Sequence, residues 1–327
     1  MTGGAGSPTY RTGTVTSRDG TTIGYRRLGH GPGLIAVHGG MQAAQNLMKL
    51  AVALADSFTV YLPDRRGRGL SGPPGSHYSL AAECEDINAL AQATGARHIF
   101  GLSSGAIIAL QAALVLPAIG KAALYEPPLS VSGSTPTGWV ARYDREVARG
   151  MLGSAVITAA RGTQTAPPVL RFVPRIAVAL PLNAALRLGG ARADGSGSPS
   201  GGSPARRAAL LVLGWPLRKA ARRNQAPGEA AGGDDVPLRA LVPTMHYDAQ
   251  LVLQTEGTLH TFASTPAEVL LLGGGKSPAY LKTSLDALTS VLPRAQRIEL
   301  ADCGHLAPDN SGEPARVAQE LRPFFAS

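Results

Sequence analysis

Phe100-Gly101-Leu102-Ser103-Ser104-Gly105-Ala106 decides how the chain is read. A strand-like run over 97–100 precedes it and a strongly helical stretch over 106–116 follows. A strand that turns sharply into a helix through Gly-x-Ser-x-Gly forces its middle residue into a strained backbone conformation, so that side chain stands clear of the sheet. Glycines at 101 and 105 remove the Cβ atoms that would collide where strand and helix cross. Ser103 is therefore the candidate nucleophile. The pattern alone also describes an ordinary small-residue turn; its weight comes from the segments on either side.

Upstream, Gly33-Leu34-Ile35-Ala36-Val37 is a continuous apolar run, the mark of a strand buried on both faces of a parallel sheet, and it ends in His38-Gly39-Gly40-Met41. A helix over 44–55, a buried strand over 58–62 and the turn-rich loop 63–72 follow. Ser79 caps a helix reaching Thr94, with Leu80, Cys84, Ile87 and Leu90 at helical spacing. Nearer the start, alternating runs over 11–17 and 21–28 flank Asp19-Gly20, a type I′ hairpin signal. Downstream, a strand over 122–125 ends in Glu126-Pro127-Pro128. The alternation then stops, leaving helical pieces over 139–160, 169–188 and 205–221, separated by Gly-, Ser- and Pro-rich stretches, 189–204 and 225–237, that read as mobile. It resumes with a helix over 245–255, a strand over 267–272, a helix to Leu292 and a strand over 295–300. Cys303-Gly304-His305 and a closing helix over 313–325 end the chain. The expectation is an α/β fold: a mostly parallel sheet flanked by helices, with a long helical insertion. Its parts are a disordered N-terminus over 1–9, a core over 10–129 and 245–327, and a helical lid over 130–244.

Composition is that of a globular protein, with 44% hydrophobic and 16% charged residues. The first ten residues are small and polar, unlike a signal peptide, and no uncharged apolar run is long enough for a membrane span. Cys84 and Cys303 lie far apart without metal-ligand spacing and read as free thiols of a reducing cytoplasm. Between Ser130 and Pro243 stand 15 basic and 6 acidic residues, the whole of the net charge of +9. These arginines are scattered among Pro, Gly and Ala with no aromatic platforms, so they read as solvated charges on a variable insert, not as a nucleic-acid surface.

Taken together, His38-Gly39-Gly40, Asp64-x-Arg66-Gly67-x-Gly69-x-Ser71, Gly101-x-Ser103-x-Gly105 and Gly304-His305 resemble the α/β-hydrolase superfamily over roughly 20–130 and 245–325, leaving the insert unmatched. The resemblance implies Ser103 as nucleophile and His305 as general base. It implies an oxyanion hole from two backbone N–H groups, that of Ser104 and that of Gly40, or of Met41 if the turn is shifted. Asp64 to Ser71 would brace the loop beneath the site. The third member departs from the usual pattern. The family's acid generally stands in a Gly-x-x-Asp turn, which here reads Gly274-Gly275-Lys276-Ser277. A second family solution puts the acid one strand after the serine, where Glu126 stands. A glutamate ending a buried strand needs a partner, so Glu126 is the expected acid, Asp248 is the alternative, and Asp302 is expected to face solvent. A dyad without an acid is the remaining option.

A serine at the turn argues against the relatives that form an alkyl ester on an aspartate. The implied reaction is hydrolysis of an ester, thioester or lactone of a small to medium hydrophobic substrate, with no cofactor and no metal. C–C bond hydrolysis or acyl transfer on the same residues, or a non-catalytic ligand-binding homologue, are the alternatives. Arg142, Arg145 and Arg149 are candidates to meet an acidic group on the substrate.

Overall fold

Alternate residues of the central strands point to opposite faces, and both faces are apolar. Ile35 of β3 (Gly33–Val37), Ile99 of β5 (His98–Leu102), Leu124 of β6 (Lys121–Tyr125) and Leu271 of β7 (Glu268–Gly274) enter one core layer. That layer is covered by α2 (Leu80–Thr94), α3 (Ser104–Val115) and α9 (Ala279–Val291). Their neighbours Leu34, Phe100, Ala123 and Leu272 join Val60 of β4 (Thr59–Pro63) in a second layer, against α1 (Met48–Leu54) and α10 (Pro314–Ala326). The computed structural model describes residues 9–166, 173–191 and 234–327. The eight-stranded sheet runs β1-β2-β4-β3-β5-β6-β7-β8, with β1 (Arg11–Thr16), β2 (Thr22–Gly29) and β8 (Ala295–Leu300) completing it. Only the β1–β2 and β2–β4 pairings are antiparallel. The expected α/β class and mostly parallel sheet are the fold of the chain.

Between β6 and β7 lie α4 (Val140–Ala148), α5 (Leu152–Gly162), α6 (Arg175–Ala191), the short α7 (Leu238–Leu241) and α8 (Met245–Gln254). Tyr143, Ala155, Ala159 and Val242 form a small core there, packed against Met41 and Met245 beside the sheet. Three local expectations change. The single helix over 139–160 is two helices, because Gly150, at φ +66°, turns the chain between them. The type I′ hairpin is a type I turn: Gly20 N–H donates to Ser17 O, and Gly20 (φ +86°) but not Asp19 has positive φ. The helix over 44–55 opens as a 3₁₀ turn, Ala44–Leu47, before α1. The helix expected over 205–221, the start of the one over 169–188, and most of the segments read as disordered or mobile lie outside the described residues.

At the turn into α3 the packing leaves no room for side chains. A Cβ on Gly101 would lie 2.3 Å from Gly105 O, and one on Gly105 would lie 2.5 Å from both Val37 O and His38 O. These are backbone atoms: the first cannot yield without moving β5 from α3, the second without moving β3 from α3. Gly105→Ala should therefore cost roughly 1–3 kcal/mol or more through overpacking. Thermal unfolding of the variant measures it, and an unchanged Tm would show that the two elements separate freely.

Candidate active site

Ser103 ends β5 and opens α3 with φ +55° and ψ −122°, a region that side-chain-bearing residues rarely adopt. Its amide donates to Tyr125 O at 2.9 Å, so the turn is locked to the next strand. The Oγ atom lies 3.1 Å from His305 Nε2. His305 stands in the segment between β8 and α10, and its Nδ1 lies 2.6 Å from Glu126 Oε2. Glu126 follows β6 with φ +50° and is fully buried. Its second oxygen accepts the Gly274 N–H at 2.6 Å. A carboxylate can only accept, so Nδ1 carries the imidazole proton. Nε2 is then left with its lone pair toward the Ser103 hydroxyl.

The three residues singled out from sequence are thus brought together in one hydrogen-bonded line. The Gly-x-x-Asp position is filled differently: Ser277 contributes no acid, and Gly274 supplies an amide to Glu126 instead. Asp248 does not reach His305. It sits in α8, buried, with Oδ1 2.6 Å from Arg65 Nη1 and Oδ2 2.8 Å from Arg68 Nη2. Two guanidinium groups claim it, which is the physical reason that it lies with them and not on the imidazole. Asp302 is 98% exposed, with Lys276 Nζ 3.5 Å away. Arg142 pairs with Glu146 at 3.0 Å, and neither it nor Arg145 nor Arg149 lines the pocket.

A pocket of about 330 Å³ opens onto Ser103 and His305. Gly39, Gly40, Met41 and Ser104 form its inner edge, Pro136, Trp139, Val140, Met245 and Val252 an apolar wall, and Gln42, Asn46 and Asp309 a polar corner. Asp309 accepts from Gln42 Nε2 at 2.8 Å and from Asn46 Nδ2 at 3.2 Å. Gln42 Oε1 in turn accepts the Gly39 N–H at 2.8 Å. Among the described residues the pocket has no lysine or arginine in its lining.

Beneath this inner edge lies a charged network that sequence reading reduced to a bracing loop. Arg65 bonds Glu83 through Nε and Nη2 at 3.0 and 2.7 Å, Asp248 through Nη1, and Ser104 Oγ at 3.1 Å. Ser104 Oγ donates onward to Asp248 Oδ1 at 2.8 Å. Burial alone would raise the Asp248 carboxyl, but the charges of Arg68 and Arg65 and the Ser104 bond outweigh it and hold the group below the usual carboxylate range. His38 is fully buried; desolvation, then the charges of Arg68 and Arg65, push its imidazole well below the ordinary range, so it is neutral. Its Nε2 accepts the Arg65 N–H at 3.2 Å, which puts the proton on Nδ1, 3.0 Å from Gly39 O. Asp64, by contrast, is a structural acceptor: Ala44 N–H and Leu70 N–H bond it at 2.8 and 3.0 Å. The sequence signal for the network was four arginine-or-aspartate positions in Asp64-Arg65-Arg66-Gly67-Arg68, a charge density that a buried loop cannot carry unpaired.

A family model described as alpha/beta hydrolase fold matches residues 32–311, and the chain belongs to that family. A non-heme chloroperoxidase from Streptomyces lividans is 33% identical over 132 residues, 38% of this chain and 48% of that protein. An N-formylmaleamate deformylase from Pseudomonas putida is 36% identical over 130 residues, with the same two shares. The chain thus matches about half the length of these curated relatives. A solved α/β hydrolase from Sphaerobacter thermophilus superposes with a TM-score of 0.68 at 28% identity, covering 96% of this chain and all of that one.

The depressed Asp248 carboxyl has a consequence for stability. The unfolded chain binds a proton there more readily, so the contribution is complete at neutral pH and is lost as pH falls below about 4. Asp248→Asn leaves two buried guanidiniums without their shared anion and should cost roughly 3–5 kcal/mol at pH 7. It should also flatten the acid limb of stability. Thermal unfolding between pH 7 and 3 measures both, and a variant with the parent's Tm and acid limb would mean that the pairing contributes nothing.

Proposed function

We propose that this α/β-hydrolase is a serine hydrolase that cleaves an ester, thioester or lactone of a small to medium, neutral, apolar acyl group. The observation that carries the reading is the line from Ser103 Oγ through His305 to buried Glu126, with separations of 3.1 and 2.6 Å. A serine hydroxyl needs an adjacent base at neutral pH, and the base needs a fixed tautomer; Glu126 fixes it. Ser103 Oγ attacks the acyl carbon while its proton passes to His305 Nε2. The carbonyl electron pair collects on oxygen, facing the N–H groups of Gly40 and Ser104, the latter at the positive end of α3. Collapse expels the alcohol, thiol or ring oxygen, which takes the proton from His305. Water, deprotonated by His305, then attacks the acyl-enzyme, and the acid leaves as Ser103 recovers its proton.

The helical insert acts as a lid in this reading, since Trp139 and Val140 supply part of the apolar wall. The absence of an acid at Ser277 would favour a non-catalytic homologue, and Glu126 on His305 weighs against that alternative. The relative from Pseudomonas putida is named for N-formylmaleamate, whose carboxylate a cation would recognise. Here the acidic lining residues are Asp248 and Asp309 and no lysine or arginine stands among the described lining residues, which supports a neutral acyl group. Two buried free thiols, Cys84 and Cys303, fit a reducing cytoplasm. No helix among the described residues is long and apolar enough to cross a membrane.

Ser103→Ala should abolish fluorophosphonate labelling and turnover of nitrophenyl esters. Glu126→Gln should lower kcat by about 10⁴ with the fold intact, while Asp302→Asn should leave turnover unchanged. Steady-state kinetics and intact-mass labelling decide; a labelled Ser103→Ala protein sinks the assignment. For substrate charge, nitrophenyl butyrate should be cleaved at least about tenfold more efficiently than nitrophenyl hemisuccinate, since the added carboxylate meets no cation. Equal kcat/KM for the two esters would reverse the inference about the acyl group.

A further inference from the structure

The Gly39–Gly40 peptide carries one arm of the proposed oxyanion hole, and its other end is held from behind. Peptide bonds here are trans, so the Gly39 C=O and the Gly40 N–H point in opposite directions. Gly39 O receives two donors on the buried side, Arg68 Nη1 at 3.1 Å and His38 Nδ1 at 3.0 Å. Arg68 Nη1 also lies 3.3 Å from Gln42 O, at the far end of the same turn. With its carbonyl pinned inward, the peptide presents the Gly40 N–H to the pocket. A positive charge on the carbonyl oxygen also draws electron density from the nitrogen, which makes that N–H a stronger donor.

The second arm is held by the same apparatus. Arg65 and Asp248 both bond the Ser104 hydroxyl, on the residue whose N–H is the other donor. One Asp248 carboxylate joins Arg65 to Arg68, and a Cβ on Gly40 would lie 3.3 Å from it. Resting on the serine-hydrolase reading above, we propose that Arg68, through Asp248 and Arg65, fixes the spacing of the Gly40 and Ser104 N–H groups and polarises the Gly40 donor. Arg68, His38 and Asp248 are positioning residues that act through the backbone of the two donors. Arg65 and Arg68 stand at the positions that the Asp64-x-Arg66-Gly67-x-Gly69 motif leaves unspecified.

The test compares Arg68→Lys and Arg68→Ala with the parent, using nitrophenyl butyrate as substrate and butylboronic acid as inhibitor. Boron bonds Ser103 Oγ, His305 takes the proton, and a hydroxyl oxygen of the resulting boronate anion occupies the place of the ester's oxyanion. Arg68→Ala should lower kcat by about 100-fold with KM little changed, and weaken the boronic acid by a matching factor. Millimolar guanidinium should restore much of kcat to Arg68→Ala, whereas urea, of the same shape but uncharged, should not. If Arg68→Ala does not fold, Arg68→Lys decides, because it keeps the charge but loses the forked contact to Gly39 and Asp248. Its kcat and boronate affinity should fall together. An unchanged kcat in a folded variant, or a fall in kcat with boronate affinity kept, overturns the clamp while a fluorophosphonate-labelled parent leaves the serine reading standing. An unlabelled parent overturns both.

Discussion

The bond between His305 and the fully buried Glu126 sets the geometry on which the site depends. A carboxylate taken out of water is tolerated only when both oxygens are satisfied. Here one faces His305 Nδ1 and the other the Gly274 amide. The sheet makes this possible because β5, β6, β7 and β8 are parallel neighbours, with Leu102 paired to Tyr125 and Tyr125 to Leu272. Parallel strands in register end side by side. Ser103, Glu126, Gly274 and the segment bearing His305 therefore leave the same edge of the sheet in adjacent lanes.

A second set of buried charges asks for a different account. Arg65, Arg68, Glu83 and Asp248 are each at most 3% exposed. They balance in sign, yet such clusters rarely stabilise a fold as much as apolar residues of the same volume would. Arg68 Nε even lacks a partner among the described residues. A network that is poor as a source of stability, and that touches both the His38–Gln42 turn and Ser104, is better understood as electrostatics held ready. Preorganised charge in a dry site acts on a developing oxyanion without the reorganisation that water would require.

The sheet and its flanking helices were legible in local sequence chemistry, and the members of the hydrogen-bonded serine line through that chemistry together with the family resemblance. Gly101 and Gly105 are dictated by backbone atoms within 2.6 Å of a would-be Cβ. Glu126 stood out as a charge ending an apolar strand. Asp248 could not be placed this way: in sequence it is an acid in the first turn of a helix, and only the fold brings it 183 positions away to Arg65. The break at Gly150 and the turn at Asp19-Gly20 were missed for a smaller reason. Propensity gives an element's existence more surely than the sign of φ at a single residue.

Asp248 also ties the insert to the chemistry. It belongs to α8, the helix through which the chain returns from the insert to the sheet, and Met245 and Val252 of that helix line the pocket. One helix thus presents apolar residues to the pocket and a carboxylate to the arginines beneath the turn. Four residues apart on a helix lie on nearly the same face, so Asp248 and Val252 cannot be rotated independently. Any rearrangement of α8 that reshapes the pocket must also move the anion shared by Arg65 and Arg68. In the proposed reading, pocket shape and the spacing of the Gly40 and Ser104 N–H groups are therefore coupled through α8, and α4 is tied to the same helix through Asp144 and His246.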